Sequence, residues 1–453
     1  MHQHAISIAI GCVLLLPPLF SQADELSGSS RKLRVLVETD AGGDPDDEAS
    51  LVRFLLYAHE WDVEGIIADR PRTNNQGTRT GLDLCRKILH AYGDCLPNLR
   101  RHKPDYPSHE ALYRVTVAGY DNVTDGEDLI LKALLKDDPR PIWFANWGSD
   151  SGTTSSMKRA LDRLRRDVSA AEYKRIVSRI RVTRNAEKLG DHCYGVGLFV
   201  DTRNPDAWYR KWDRLTNQAI HFDWKQHVAS VGPLGACYPT SKEGDSLAFV
   251  YLIPTGLSDP NEPTWGGWAG RYSPLTEQVK SSDGKLGPKP REGFYWAAAT
   301  DKNPEGKATR DQTLSRWAVA IQNDFRARMQ WSITPAFKDA NHEPIVCVQG
   351  DRTRDVLRVN APVGKPLALS AAGTIDPDGD RLDFRWSIYR EPGTYEDAGG
   401  IRLAGADSPE ATLHVPTDAG GKTIHVLLEV TDHGIPPLTR YRRVVVTGSG
   451  GLQ

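Results

Sequence analysis

Apolar residues run almost without a break through Leu33, Val35, Leu36 and Val37 in the stretch from Lys32 to Thr39. That is the pattern of a strand buried on both faces of a parallel sheet. The acidic loop Asp40 to Glu48 follows directly. From Glu48 the spacing of Leu51, Val52, Leu55 and Leu56 is helical, and Val63 to Ala68 again reads as strand, giving one βαβ unit. Pro141 to Trp147 predicts a further strand, leading into the polar loop Gly148 to Ser156 and a basic helix around Met157 to Arg166. This alternation predicts an α/β domain with a mainly parallel sheet covered by helices on both faces, and ligands at the carboxyl ends of its strands. Thr183 to Gln218 has no clear period and reads as an insertion or lid.

After a helix expected over Thr313 to Trp331 the period changes. From Pro344 onward it is mostly two, as in Phe384 to Ile388, Leu413 to Val415 and Ile424 to Val430, with Gly, Pro and Asp turns between. About 100 residues of this kind predict an all-β antiparallel sandwich of immunoglobulin-like size. The expected division is a signal peptide at 1–23, a linker at 24–31, the α/β domain at 32–341, the sandwich at 342–448 and a tail at 449–453.

The signal peptide is read from the apolar stretch Ala5 to Phe20, too short for a span, and the small residues of Ser21-Gln22-Ala23. A buried N-terminal helix is the alternative, since only His2 and His4 stand where Lys or Arg is usual. Cys12 lies inside the apolar stretch, which argues against a lipoprotein anchor. The expected protein is exported, periplasmic or extracellular, with no stable membrane insertion after cleavage. A formal charge of -2 offers no broad attraction to nucleic acid. Cys85, Cys95, Cys193, Cys237 and Cys347 are odd in number and lack zinc-type spacing, so no metal site rests on sulfur. Oligomerisation is left open.

Thr39-Asp40-Ala41-Gly42-Gly43-Asp44-Pro45-Asp46-Asp47-Glu48 sets four aspartates and a glutamate at the end of a strand. Such a cluster repels itself unless something positive sits in it. Calcium fits, because it takes six to eight hard oxygen ligands and tolerates irregular loops. Capping of the following helix by these carboxylates is the competing explanation.

Thr-Asp-x-Gly followed by Asp-Asp after the first strand resembles the signature of calcium-dependent nucleoside hydrolases, and Val63 to Ile67 resembles that family's second strand. A closer resemblance, over nearly the whole mature chain, is to bacterial cellulose-binding proteins built from a nucleoside-hydrolase-like domain and a C-terminal sandwich. It is carried by Asp44 to Arg53, Glu243 to Ser246, Pro263 to Tyr272, Asn323 to Phe325, Ala340 to His342 and Asp376 to Asp380. The resemblance implies that Asp40 touches calcium and activates water, Asp46 holds ribose hydroxyls, Asp47 is a bidentate calcium ligand and Asp245 closes the metal site. Nearby carboxylates would stabilise an oxocarbenium-like state.

The chain departs from the hydrolases in placing Gly244 where many have a histidine before the closing aspartate. The Asp40 to Asp46 spacing is also two residues longer, and Asp69-Arg70 stands near where an asparagine would help bind ribose. Glu243 is the candidate replacement acid, against a plain loop role. Trp265, with Trp268 and Tyr272, is a candidate for stacking on a sugar, against core packing. Asn146 is a candidate polar contact beside Trp143 and Trp147, of which Trp143 reads as core. His192 and His227 read as structural. Asp376 to Asp380 resembles an acidic turn of extracellular sandwich modules, satisfied by a plain turn or by a second calcium. The first functional expectation is a calcium-dependent hydrolase of N-glycosidic or related sugar bonds. The second is a non-catalytic, cellulose-type carbohydrate-binding protein on the same scaffold. A protein-docking role for the sandwich has nothing specific in its favour.

Overall fold

A computed structural model of the chain describes residues 32–74, 79–120, 122–148, 155–183, 195–278, 289–396 and 400–450. The expected signal peptide, His192, Cys193 and most of the loop after Gly148 fall outside these residues. None of the described helices is long and apolar enough to cross a membrane.

The first domain is built on an eight-stranded sheet. Its strands are β1 (Leu33–Thr39), β2 (Trp61–Ala68), β3 (Thr116–Ala118), β4 (Ile142–Asn146), β5 (Ile180–Thr183), β6 (Leu198–Asp201), β7 (Ser273–Pro274) and β8 (Phe294–Trp296). The spatial order is β3-β2-β1-β4-β5-β6-β8-β7, parallel except for the terminal β7–β8 pair. Successive residues of β1 explain its unbroken apolar run. Val35 and Val37 join one core with helix α1 (Asp46–Leu56) and helix α2 (Gly81–His102), while Leu36 joins Ile67 and Phe144 in the core on the opposite face. β1 pairs with β2 on one side and β4 on the other, and the chain leaves outward through β2 and β3 before returning to β4. The carboxyl ends of β1 and β4 thus flank the switch point at which such sheets bind ligands. The three-residue β3 is too short to leave a periodic signal, so Pro141 to Trp147 holds the fourth strand of the chain.

A small β9–β10 pair (Asp301–Lys302 and Ala308–Thr309) precedes helix α3 (Ala318–Trp331). The second domain then forms two facing sheets from β11 (Leu357–Pro362), β12 (Pro366–Ser370), β13 (Leu382–Tyr389), β14 (Arg402–Ala404), β15 (Glu410–His414), β16 (Thr423–Asp432) and β17 (Thr439–Ser449). The orders are β11-β17-β16-β13 and β12-β15-β14 around a core that includes Trp386, Leu413 and Val426. The sandwich departs from the antiparallel expectation at one place: β11 runs parallel to β17.

β17 also joins the domains. Residues 439–443 overhang β11, and the free edge docks on the first domain through Tyr441 N–H to Thr255 O (3.1 Å) and Arg443 N–H to Gly256 O (3.0 Å). Gly256 has a φ of +85°, and a Cβ there would collide with Tyr441 O, so only glycine allows this approach. Beside it, Arg440 meets Asp324 of α3 at 2.7 Å, and Asp324 also accepts from Arg328 (2.9 Å) and Tyr57 (2.6 Å), all buried. Removing one member of such a network leaves an uncompensated buried charge. Arg440→Met is therefore expected to lower unfolding stability by about 3–5 kcal/mol in urea titrations. An unchanged midpoint would mean that the two domains do not stabilise one another.

Candidate functional site

Thr39 ends β1 buried, and its hydroxyl donates to Asp47 Oδ1 while accepting from Ala41 N–H (3.2 Å). The chain then turns, closed by Gly43 N–H to Asp40 O (2.9 Å). Gly42 has a φ of +89°, and a Cβ there would overlap Thr73. This turn delivers Asp44, Asp46 and Asp47, whose oxygens lie within 4.8 Å of one another. α1 starts after Pro45, which offers no side-chain cap, with Asp46, Asp47 and Glu48 in its first turn. Glu48 accepts from its own backbone N–H and from that of Gly42, which ties the helix start to the loop.

Asp245 arrives on a short 3-10 turn, Gly244–Ser246, tied to α1 by Ser246 Oγ to Ser50 Oγ (3.1 Å). Its carboxyl shares a hydrogen bond with Asp46. Asp40 lies at the mouth, 17% exposed, with Arg70 Nη1 at 4.0 Å. Gly148 passes so close that a Cβ would collide with Asp40 Oδ1. The structure therefore brings together Asp40, Asp46, Asp47 and Asp245, the residues that the resemblance singles out.

The electrostatics are severe. Burial raises the Asp46 carboxyl most, with Asp245 and Asp44 adding to it, up to about 10. Burial, then Asp40 and Asp245, push Asp47 upward in the same way. Asp46 Oδ1 and Asp245 Oδ1 are buried without a hydrogen bond. A set of hard oxygens with unmet acceptors is chemically suited to calcium.

Two guanidinium groups answer part of this charge. Arg203, just after β6, donates to Trp147 O (3.0 Å), lies 3.8 Å from Asp245 Oδ1 and stacks 3.9 Å over the Tyr209 ring. Burial opposes its charge, but Asp245, Tyr209 and Asp40 more than restore it. It sits in the stretch whose pattern gives no assignment. Glu38 was also missed, although a glutamate inside an apolar run is itself a signal. Fully buried in β1, it accepts from Asn146 Nδ2 (2.8 Å), Ser155 Oγ (3.0 Å) and Ser156 N–H (2.6 Å) at the start of the helix Ser156–Asp167.

Three expected residues lie elsewhere or are engaged. Asn146 is turned toward Glu38 in the sheet, although its Oδ1 is buried without a partner. Glu243 does not face the cluster as a free acid: Arg53 clamps it bidentately, Nη2 to Oε2 at 2.6 Å and Nε to Oε1 at 3.0 Å, and Trp212 Nε1 donates to it at 3.0 Å. Burial raises the Glu243 carboxyl and Arg53 pulls against it. The bidentate clamp matches the ionised form. Trp265 is 8% exposed at the domain junction, edge-on to His425 at 4.9 Å, with Arg358 4.5 Å above its ring. Trp268 and Tyr272 are buried, so this aromatic loop is interdomain packing rather than a sugar platform.

The model for "Cellulose-binding Sde182, nucleoside hydrolase-like domain" matches residues 34–272, and that for "Cellulose-binding protein Sde0182, C-terminal domain" matches 366–448. A solved nucleoside hydrolase-related protein from Saccharophagus degradans, described as associated with carbohydrate metabolism, is 31% identical. That match covers 92% of this chain and all of the other, with a TM-score of 0.73. The PKD domain from KIAA 1837 protein aligns at 19% identity over 22% of this chain and 85% of its own, at a TM-score of 0.16 that bears on nothing here. No curated protein matches the chain.

Two outcomes follow from the geometry. Because Asp46 has a folded-state pKa near 10 against an ordinary value of 3.8, the folded protein holds the extra proton. The site's contribution to stability is then present in acid and lost as pH rises through that window. Chelated protein is expected to melt progressively lower from about pH 5 to about pH 8, and saturating calcium to reverse the slope. A flat chelated profile would contradict the carboxylate coupling. Glu243→Gln, which strands Arg53, is expected to cost about 3 kcal/mol of stability. Unchanged stability with a shifted pH–activity profile would instead assign Glu243 to chemistry.

Proposed function

The chain belongs to the family of cellulose-binding proteins with a nucleoside hydrolase-like domain, and on that premise we propose that it is an exported carbohydrate-binding protein whose aspartate pocket receives a sugar diol beside a calcium ion. The observation that carries this reading is the division between two neighbouring acids. Asp245 joins Asp46 and Asp47 with an unmet buried oxygen, while Glu243, two residues earlier, is spent on Arg53. The pocket thus has acceptors for hydroxyl groups, and Glu243 is not available as its general acid.

Asp47 and Asp245, with Asp40 at the mouth, are the residues that would hold the cation. When bound, calcium would supply a positive centre that accepts sugar hydroxyls and lowers the pKa of a water. Asp46 is placed to accept from a vicinal diol, and the Arg70 and Arg203 guanidiniums flank the cluster as donors to ring or hydroxyl oxygens. Hydrolysis of an N-glycosidic or related sugar bond is the second reading. It is favoured by the position of Asp40, partly exposed and within electrostatic reach of Asp47, where a base would meet water.

Calorimetric titration with cello-oligosaccharides, other glycans and nucleosides separates the two readings. The expected result is glycan binding that chelation weakens about tenfold or more and Asp47→Asn abolishes, with no product formed. Chelator-sensitive product release, lost in Asp40→Ala, would establish the hydrolase instead. No binding of any sugar by folded, calcium-supplied protein would sink the first reading.

A further inference from the structure

A second acidic group lies where the two domains meet. Asp376, Asp378 and Asp380 each bring a carboxylate oxygen within 4.8 Å of the others. Local turn geometry explains part of this, since Asp376 Oδ1 accepts from the amides of Asp378 (2.9 Å) and Asp380 (3.0 Å). It does not explain two other oxygens. Asp376 Oδ2 is shut off from solvent without a partner, and so is Oδ2 of Asp432, a residue 1% exposed at the end of β16. Asp432 commits its other oxygen to Asn341 Nδ2 (3.0 Å) and to the amides of Gly434 (2.9 Å) and Leu438 (3.0 Å). Asp432 pairs across the sheet with Leu382, two residues after Asp380, which brings it beside the acidic turn, so that its charge bears on Asp376 and that of Asp380 bears on it. Buried carboxylate oxygens without donors, beside further carboxylates, are stable only when a cation or protons compensate them.

The surroundings tie this group to the first domain. Asp378 accepts from the His342 backbone N–H (2.7 Å) and faces His342 Nδ1 (3.0 Å). His342 Nε2 meets His102 Nδ1 (2.9 Å), and His102 Nε2 meets Thr334 O (2.8 Å). The His342 ring also stacks on Phe337 at 3.6 Å. Both nitrogens of His342 are engaged, so the donors left for an ion are all oxygens, the set calcium prefers.

We propose that Asp376, Asp378, Asp380 and Asp432 hold a calcium ion at the domain junction, and that this ion fixes the connecting segment around Asn341 and His342. The site is separate from the pocket at Asp47 and does not depend on how that pocket is read.

Calcium counting by equilibrium dialysis on the full chain tests it, with tryptic cleavage at Lys338 as a second readout. Asp47→Asn is expected to retain one calcium, and that calcium to slow cleavage at Lys338 about tenfold. Asp380→Asn and Asp432→Asn are each expected to lose one calcium relative to the unaltered chain, together with the protection. Circular dichroism reports whether each variant folds, and the partly exposed Asp380 keeps the test valid if Asp432→Asn does not fold. An Asp47→Asn chain that binds no calcium at millimolar supply would overturn the proposal. So would an Asp380→Asn chain with full stoichiometry and protection.

Discussion

Mutual repulsion among the carboxyl groups at the end of β1 is the constraint around which the first domain is arranged. Among the described residues, the cations paired with Asp40, Asp44, Asp46, Asp47 and Asp245 are Arg70, beside Asp40, and Arg203, beside Asp245. A cluster so unbalanced holds its shape only if the backbone beneath it has no freedom to relax. The sheet supplies that rigidity. Thr39 pairs with Ala68 of β2 and bonds Asp47, and Glu38, one residue back and held between β2 and β4, organises the start of the helix behind β4. These two residues therefore terminate a strand, set a turn and fix two sides of the pocket. Preorganisation of this kind is what allows carboxylates to stay desolvated until a ligand compensates them.

The opposite solution appears at the domain junction. Asp324, Arg328, Arg440 and Glu343 are as deeply buried as the pocket aspartates, but each carboxylate has guanidinium partners. Arg440 and Arg328 hold Asp324, and Lys103 first, with Arg440 and Arg328, holds Glu343, below the usual carboxylate range despite their burial. A network in which every carboxylate has a cation partner is a structural element, whereas surplus buried carboxylate charge marks a candidate site for a counter-charge. This contrast within one molecule separates framework from function better than burial alone.

Legibility in the sequence followed the range of the interactions. β1, the acidic loop, α1 and the alternating strands of the sandwich were readable because their patterns are local and periodic. The clustering of Asp40, Asp46, Asp47 and Asp245 was reached through resemblance, since nothing local places residue 245 beside residue 46. Arg203 escaped because its role depends on β6 lying next to β5, which brings it to Asp245 from a stretch without period. Trp265 was misplaced for a different reason. An aromatic residue in a glycine-rich loop presents the same sequence whether its flat face meets a sugar or another domain, and here it meets His425 and Arg358.

Glu243 carries the most consequential of these ambiguities. It lies two residues from Asp245, and in sequence the pair reads as two acids of one site. The 3-10 turn separates them, sending Asp245 toward Asp46 and Glu243 toward Arg53 of α1. Arg53 is itself pinned, 3.6 Å over the Phe325 ring and bonded to Gln322 of α3 at 3.0 Å, so Glu243 cannot be released without disturbing the helix contact on which the domain rests. A general acid must be able to lose and regain its proton at the reacting atom. A glutamate clamped by Arg53 within the packing of two helices is poorly placed to do so, and for that reason Glu243 belongs to the framework around the pocket rather than to its reacting face.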